Sequence, residues 1–179
     1  MNTPTHAALN VLVLGRRHGA PRALIALAAI LPDLPIFGFF VVEVYGFGED
    51  PWGRIWSEIY FRPHWQHLFD AFHSIPIFVA LGAWFTWRRS RTGQLVAASL
   101  LLHSLVDWPT HIEDAHAYFW PFWQKPLPGV ISYWHPGSPV WVLELAILLT
   151  AVAWLVGKRY VVSGARRSQP RTGARRQIS

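Results

Sequence analysis

Residues 23–42 form an apolar run of twenty positions in which Asp33 is the only charged side chain. At 1.5 Å of rise per residue, a helix of that length covers about 30 Å, the thickness of a bilayer's hydrocarbon core. Three further apolar runs follow, at residues 71–87, 95–108 and 139–157. Among strongly polar or titratable groups, only His73, His103, Asp107 and Glu144 interrupt them. Pro21 and Pro63 suit the first turn of a helix, and Ser138-Pro139 supplies an N-cap followed by a residue whose missing N–H costs nothing there. Thr3-Pro4 repeats that signature ahead of an eight-residue apolar run at residues 7–14, too short to cross a membrane. No basic region precedes this run and Arg16-Arg17 follow it, so it reads as a structural half-span rather than a secretory leader. The pattern therefore predicts an all-α, polytopic membrane helix bundle of about four spans plus a short N-terminal half-span helix.

Composition strengthens the membrane reading. Of the 179 residues, 52% are hydrophobic and 15% charged, against roughly 25% charged in an ordinary soluble domain. The net charge of +6 would suit a nucleic-acid partner, but the basic residues do not form a face on a folded element. Thirteen of the sixteen Lys and Arg lie in three clusters, Arg16/Arg17/Arg22, Arg88/Arg89/Arg91 and residues 158–176, on alternate turns between the apolar runs. Placing those turns in the cytoplasm satisfies the positive-inside rule. The C-terminus is therefore expected to be cytoplasmic, and no nucleic-acid partner is expected. Eight of eleven Trp then fall on the opposite side or at that interface, where amphipathic rings settle. Residues 1–160 read as a single integral-membrane domain and 161–179 as a disordered basic cytoplasmic tail. The absence of cysteine excludes disulfides, thiolate metal sites and a Cys nucleophile.

Titratable groups inside a bilayer cost about 2.5–3.5 kcal/mol each, so their positions carry information. Counted outward from the basic turns, His6 and Asp33 stand thirteen and fourteen residues up the two arms of one hairpin. His103 is thirteen residues above the next turn, Asp107 is level with His73, and Glu144 is fourteen residues above Lys158. All six groups thus share one layer. His103 and Asp107 have the i, i+4 spacing that lets two side chains reach one ion. Asp33 sits in Leu31-Pro32-Asp33-Leu34-Pro35, where two prolines remove backbone donors and break the helix beside a carboxylate. Taken singly, each group has a structural explanation: a capping Asp33, a hydrogen-bonded His73, an interfacial His6. Their common depth favours metal ligation. Thr110-His111, Glu113-Asp114 and His116 lie close enough in sequence to Asp107 to return to the same layer, whereas His18, His64, His67 and His135 read as solvent or interface residues.

In order along the chain, Thr5-His6, Leu31-Pro32-Asp33, His73-Ser74, His103-Ser-Leu-Val-Asp107 and Phe119-Trp120-Pro121-Phe122 resemble the bacterial membrane-bound, metal-dependent hydrolases of the YdjM type. The resemblance covers about residues 3 to 123. It departs from the family pattern at Pro35, where many members carry a second acidic residue, and at Phe69-Asp70-Ala71-Phe72, which replaces a basic element. It implies His6, Asp33, His73, His103 and Asp107 as metal ligands, with His111 completing the sphere as in a subgroup of the family.

Imidazole and carboxylate donors without thiolate suit Zn²⁺ or Mn²⁺, zinc being the favoured ion. The expected activity is hydrolysis of a lipid phosphoester or ester by a metal-activated water, with Glu144 as general base. Membrane lipids are the expected partners and a lipid or lipid-linked molecule the substrate, because the polar layer falls in the outer half of the bilayer. Two other readings use the same residues: a non-enzymatic metal-binding or metal-transport protein, and a scaffold whose polar layer only fixes helix packing.

Overall fold

In the computed structural model, which describes residues 1–16 and 19–167, every regular element is helical and no strand occurs among the described residues. Helix α1 spans Thr3–Leu14 and begins with Pro4 in its first turn, as Thr3-Pro4 predicts. Helix α2 (Arg22–Ile30) passes through a 3₁₀ turn, Leu31–Asp33, into α3 (Leu34–Val41), which ends in the wider π turn Val42–Gly46. Helix α4 (Pro63–Phe72) gives way at His73-Ser74 to α5 (Ile75–Trp87), and then come α6 (Arg91–Asp107) and α7 (Pro139–Arg167). Among the described residues, three stretches are long and apolar enough to cross a membrane: Arg22–Gly46, Pro63–Trp87 and Pro139–Lys158.

The expected fourth span, residues 95–108, lies within α6. That helix has 17 residues, about 25 Å, and it is not one of the three. Packing explains how a shorter and more polar helix is accommodated: α6 lies against α5, α2 and α1. Its inward residues Ala97, Leu100 and Ser104, and Ser99, His103 and Asp107, are all buried. Both sets follow the three- and four-residue spacing of one helical stripe. On α7 the apolar side chains of Val142, Leu145, Leu149 and Val152 are instead more than half exposed, the surface a hydrocarbon environment would cover.

Helix α7 continues through Arg167, into the stretch expected to be a disordered tail. The remainder of that tail, together with His18, lies outside the described residues.

Two breaks in the spanning stretches have local causes. At Leu31–Asp33 the rings of Pro32 and Pro35 remove two N–H donors within four residues, and the chain tightens into a 3₁₀ turn. At His73-Ser74, the Ser74 hydroxyl accepts a hydrogen bond from the Ile77 N–H at 3.3 Å and restarts the helix with Pro76 in its first turn. The residues between α3 and α4 are held by a buried cluster of Phe39, Ile55, Ile59, Tyr60 and Phe69. Its rings meet edge-on, with Phe39 centroids 5.1–5.8 Å from those of Trp65, Phe69, Tyr60 and Trp56. Such pairs add about 0.5–1.5 kcal/mol each beyond burial, which fixes residues 55–60 as one wall of the cavity described next.

Candidate metal centre

Each break in a spanning stretch delivers one polar side chain to the same place. Asp33 ends the 3₁₀ turn; its Oδ2 accepts the Thr3 hydroxyl at 2.5 Å, and its Oδ1 faces His73 Nε2 at 3.6 Å and His103 Nε2 at 3.5 Å. It makes no side-chain cap to α3, so capping does not account for its burial. His73 sits where α4 ends, with its Nδ1–H donating to the Phe69 carbonyl at 2.8 Å. His103 comes from the buried stripe of α6, with its Nδ1–H donating to the Ala29 carbonyl on α2 at 2.7 Å. A carbonyl only accepts, so each ring carries a proton on Nδ1, which leaves Nε2 as the lone-pair nitrogen of the neutral imidazole. Those two Nε2 atoms are fully buried and have no hydrogen-bond partner, a deficit worth about 1–3 kcal/mol apiece if nothing else satisfies them.

Asp107, one helical turn beyond His103, faces two sets of donors with its two oxygens. Oδ2 lies 3.8 Å from both His73 Nε2 and His103 Nε2. Donors about 2.1 Å from a tetrahedral ion stand about 3.4 Å apart, close to the 3.5–3.8 Å separations at Asp33 and Asp107. Oδ1 instead meets His6 Nε2 at 3.0 Å, His111 Nε2 at 2.9 Å and the Met1 nitrogen at 2.8 Å. Among the described residues, three overlapping groups could hold a metal ion: His6/His103/Asp107, Asp33/His73/His103 and His73/Asp107/His116.

Five residues expected as ligands, His6, Asp33, His73, His103 and Asp107, therefore converge. His111 joins them through Asp107. Its other nitrogen, Nδ1, meets Asp114 Oδ2 at 2.9 Å. Burial alone would lower the His111 pKa, but Asp107 and Asp114 outweigh it and push it up to about 9. Burial works in the opposite sense on Asp114, yet hydrogen bonds from His111 and Trp134 hold that carboxyl below its ordinary range.

His116 belongs to the cluster too, although the sequence reading left it outside the ligand set. Its ring stacks on His73 at 4.0 Å, and its Nδ1 lies 3.7 Å from Asp70 Oδ1. Asp70 in turn accepts the Ala117 N–H at 2.8 Å and so ties the segment after α6 to the end of α4. The three-residue spacing of His67, Asp70 and His73 carried a partial signal. Of that trio, Asp70 and His73 are buried and His67 is exposed. The same segment is closed from its other end: Gly129 N–H donates to the His111 carbonyl at 2.6 Å, and a Cβ there would collide with the Trp108 and Pro109 backbone.

Glu144, the residue expected as general base, meets Asn2. Its two oxygens accept from the Asn2 backbone N–H at 2.6 Å and the Asn2 side-chain amide at 2.7 Å. It is 5% exposed and is not among the residues lining the adjoining cavity. With both oxygens engaged this way, Glu144 is an anchor for the start of α1, the helix that carries Thr3 and His6.

The cluster forms part of a cavity of about 630 Å³. Asp33, Asp107, His111 and His116 lie on its polar side, while Ile36, Phe37, Trp56, Tyr60 and Phe61 line an apolar side. Comparison with family models, curated proteins and solved structures gives no match.

Proposed function

We propose that this chain is a membrane-embedded, metal-dependent hydrolase acting on a lipid phosphoester or ester, with zinc as the ion. One observation carries the reading: two buried His Nε2 lone pairs, each fixed by a carbonyl behind its ring, converge with Asp33 Oδ1 and Asp107 Oδ2 at metal-ligand separations. The carbonyls of Phe69 and Ala29 play the orienting part that partners of ligating histidines commonly play. A scaffold has no use for unpartnered buried nitrogens, which weighs against the packing-only reading.

His73, His103, Asp33 and Asp107 would hold one ion. His6, with His103 and Asp107, forms an overlapping group that could hold a second ion, which suits an expected content of one to two equivalents. The bound ion supplies a Lewis acid and lowers the pKa of a coordinated water toward neutrality. The chain's own residues do the rest. Thr3 holds Asp33 in register, Asp114 holds His111, and Glu144 anchors α1 through Asn2. The apolar side of the cavity excludes water and accepts the hydrocarbon part of an amphiphile. A cavity lined by both polar and apolar residues matches a lipid or lipid-linked substrate better than a small polar metabolite. The reading follows the resemblance to bacterial membrane-bound hydrolases, and with it we propose a location in the bacterial inner membrane with a cytoplasmic C-terminus.

The test is elemental analysis of protein purified in mild detergent without chelator, followed by turnover on a panel of lipid phosphoesters and esters. The expected result is one to two equivalents of zinc, removed by changing His103 and Asp107 together to Ala, with cleavage of at least one lipid. Metal that crosses proteoliposomes in a His103-dependent way, with no lipid cleaved, would establish the carrier reading instead.

A further inference from the structure

We propose that the cavity opens sideways into the bilayer between α3 and residues 52–61, and that this opening holds an acyl chain of a membrane lipid whose head group lies at the His/Asp cluster. The proposal rests on the hydrolase reading for the head group, while the chain site stands on other residues.

The spanning stretch Arg22–Gly46 presents an outward stripe of Leu27, Leu31, Leu34, Phe37 and Val41, all exposed and spaced by three or four residues. Bilayer hydrocarbon would cover such a stripe. Phe37, which is 54% exposed, belongs to it and also lines the cavity beside Ile36 and Asp33. It stands one helical turn beyond Asp33 and nine residues before the end of the stretch at Gly46, roughly 13 Å along the axis. This part of the wall therefore lies within the apolar layer, not at its surface. A side chain that faces lipid and cavity together marks a place where the two spaces join. Helix α1 packs along α2 and reaches Asp33 through the Thr3 hydroxyl, and α3 continues beyond that level. Across the opening are Trp52, Ser57 and Phe61, exposed lining residues of the segment before α4. Trp56 and Tyr60 line the cavity further in, Tyr60 being part of the buried aromatic cluster.

Size and polarity select the occupant. Cavities of about 300–1,000 Å³ enclose one small ligand; this one, at about 630 Å³, takes a head group and the start of a chain but not a whole two-chain lipid. The remainder has to leave through an apolar exit. A mouth that opened only to water would force the chain out of hydrocarbon to reach the cluster. At Phe37 the chain exchanges lipid neighbours for side chains of equal polarity, so its entry carries no hydration cost. The head group alone then has to supply the affinity.

Photolabelling of the full-length protein in phosphatidylethanolamine–phosphatidylglycerol vesicles tests this. Two phosphatidylglycerol probes are used, one with a diazirine near the head-group end of an acyl chain and one with it at the chain terminus. Chelator-treated protein is labelled, so that no probe is consumed, and adducts are located by mass spectrometry. The first probe should label Trp56 and Tyr60 inside the cavity, and the second should label Leu34 and Val41 on the outer stripe. Ser57→Phe, which adds a ring to the mouth, should lower the Trp56 and Tyr60 adducts by about tenfold, the effect of one steric conflict in a packed wall, and leave those at Leu34 and Val41 unchanged. Ser57→Leu gives the same readout in case the phenylalanine variant does not fold. Adducts confined to the outer stripe, or interior adducts that survive both Ser57 variants, would overturn the proposal. Interior adducts in a protein that holds no zinc and cleaves no lipid would instead sink the hydrolase reading and leave the opening standing.

Discussion

Replacing His103 by Ala removes the side chain on which the metal centre depends most directly. His103 Nε2 lies 3.5 Å from Asp33 Oδ1 and 3.8 Å from Asp107 Oδ2, its ring stacks on His6 at 3.8 Å, and it is fully buried. Two effects of opposite sign follow. In the metal-free protein the variant loses the hydrogen bond to the Ala29 carbonyl, about 1 kcal/mol. It also removes an unpartnered buried nitrogen, which offsets part of the loss. In the metal-loaded protein the balance is quite different. An ion present at 100 times its dissociation constant stabilises the folded state by about 2.7 kcal/mol, equivalent to roughly 5–10 °C in midpoint for a chain of this size. Chelator should therefore lower the thermal midpoint of the wild type by that amount and leave His103→Ala nearly unmoved. The assay is thermal unfolding in detergent, followed by intrinsic fluorescence with and without chelator, alongside zinc content by elemental analysis. A wild type that binds no metal and ignores chelator would refute the reasoning, as would a variant that keeps its full metal content and its chelator response.

Glu144→Gln should retain zinc and lose less than about tenfold in turnover, because glutamine still offers one oxygen to the Asn2 donors; a loss of about 10² to 10⁴ with metal retained would return Glu144 to proton transfer. Ser74→Ala should lower stability by about 1 kcal/mol in a denaturation series, since it deletes both the cap to Ile77 and the hydroxyl's hydrogen bond to the Trp120 carbonyl. A C-terminal reporter fusion should be active only in the cytoplasm; activity on the far side would overturn the orientation drawn from the basic turns.

The apolar runs and the residues that punctuate them determined much of this architecture by themselves. Residues 23–42 can only be a long buried or lipid-facing helix, and Pro32 and Pro35 must break it beside Asp33, because a proline ring removes a donor whatever surrounds it. The i, i+4 spacing of His103 and Asp107 places both on one helix face by geometry alone, and Ser138-Pro139 marks the start of α7. Depth counted from the basic turns brought His6, Asp33 and His73 to the same level, since helical rise is nearly constant. What lies across the bundle was not legible in the same way. The carbonyl that fixes the His103 tautomer belongs to Ala29, 74 positions earlier, and no local pattern encodes that pairing. His116 reaches the cluster on a segment that Asp70 ties to α4 through the Ala117 N–H, and Glu144, level with the others by counting, meets Asn2. Periodicity fixes which face of a helix a residue occupies and roughly how deep it lies. Which atom it finally meets depends on how the helices rotate and pack against one another, and that only the tertiary structure decides.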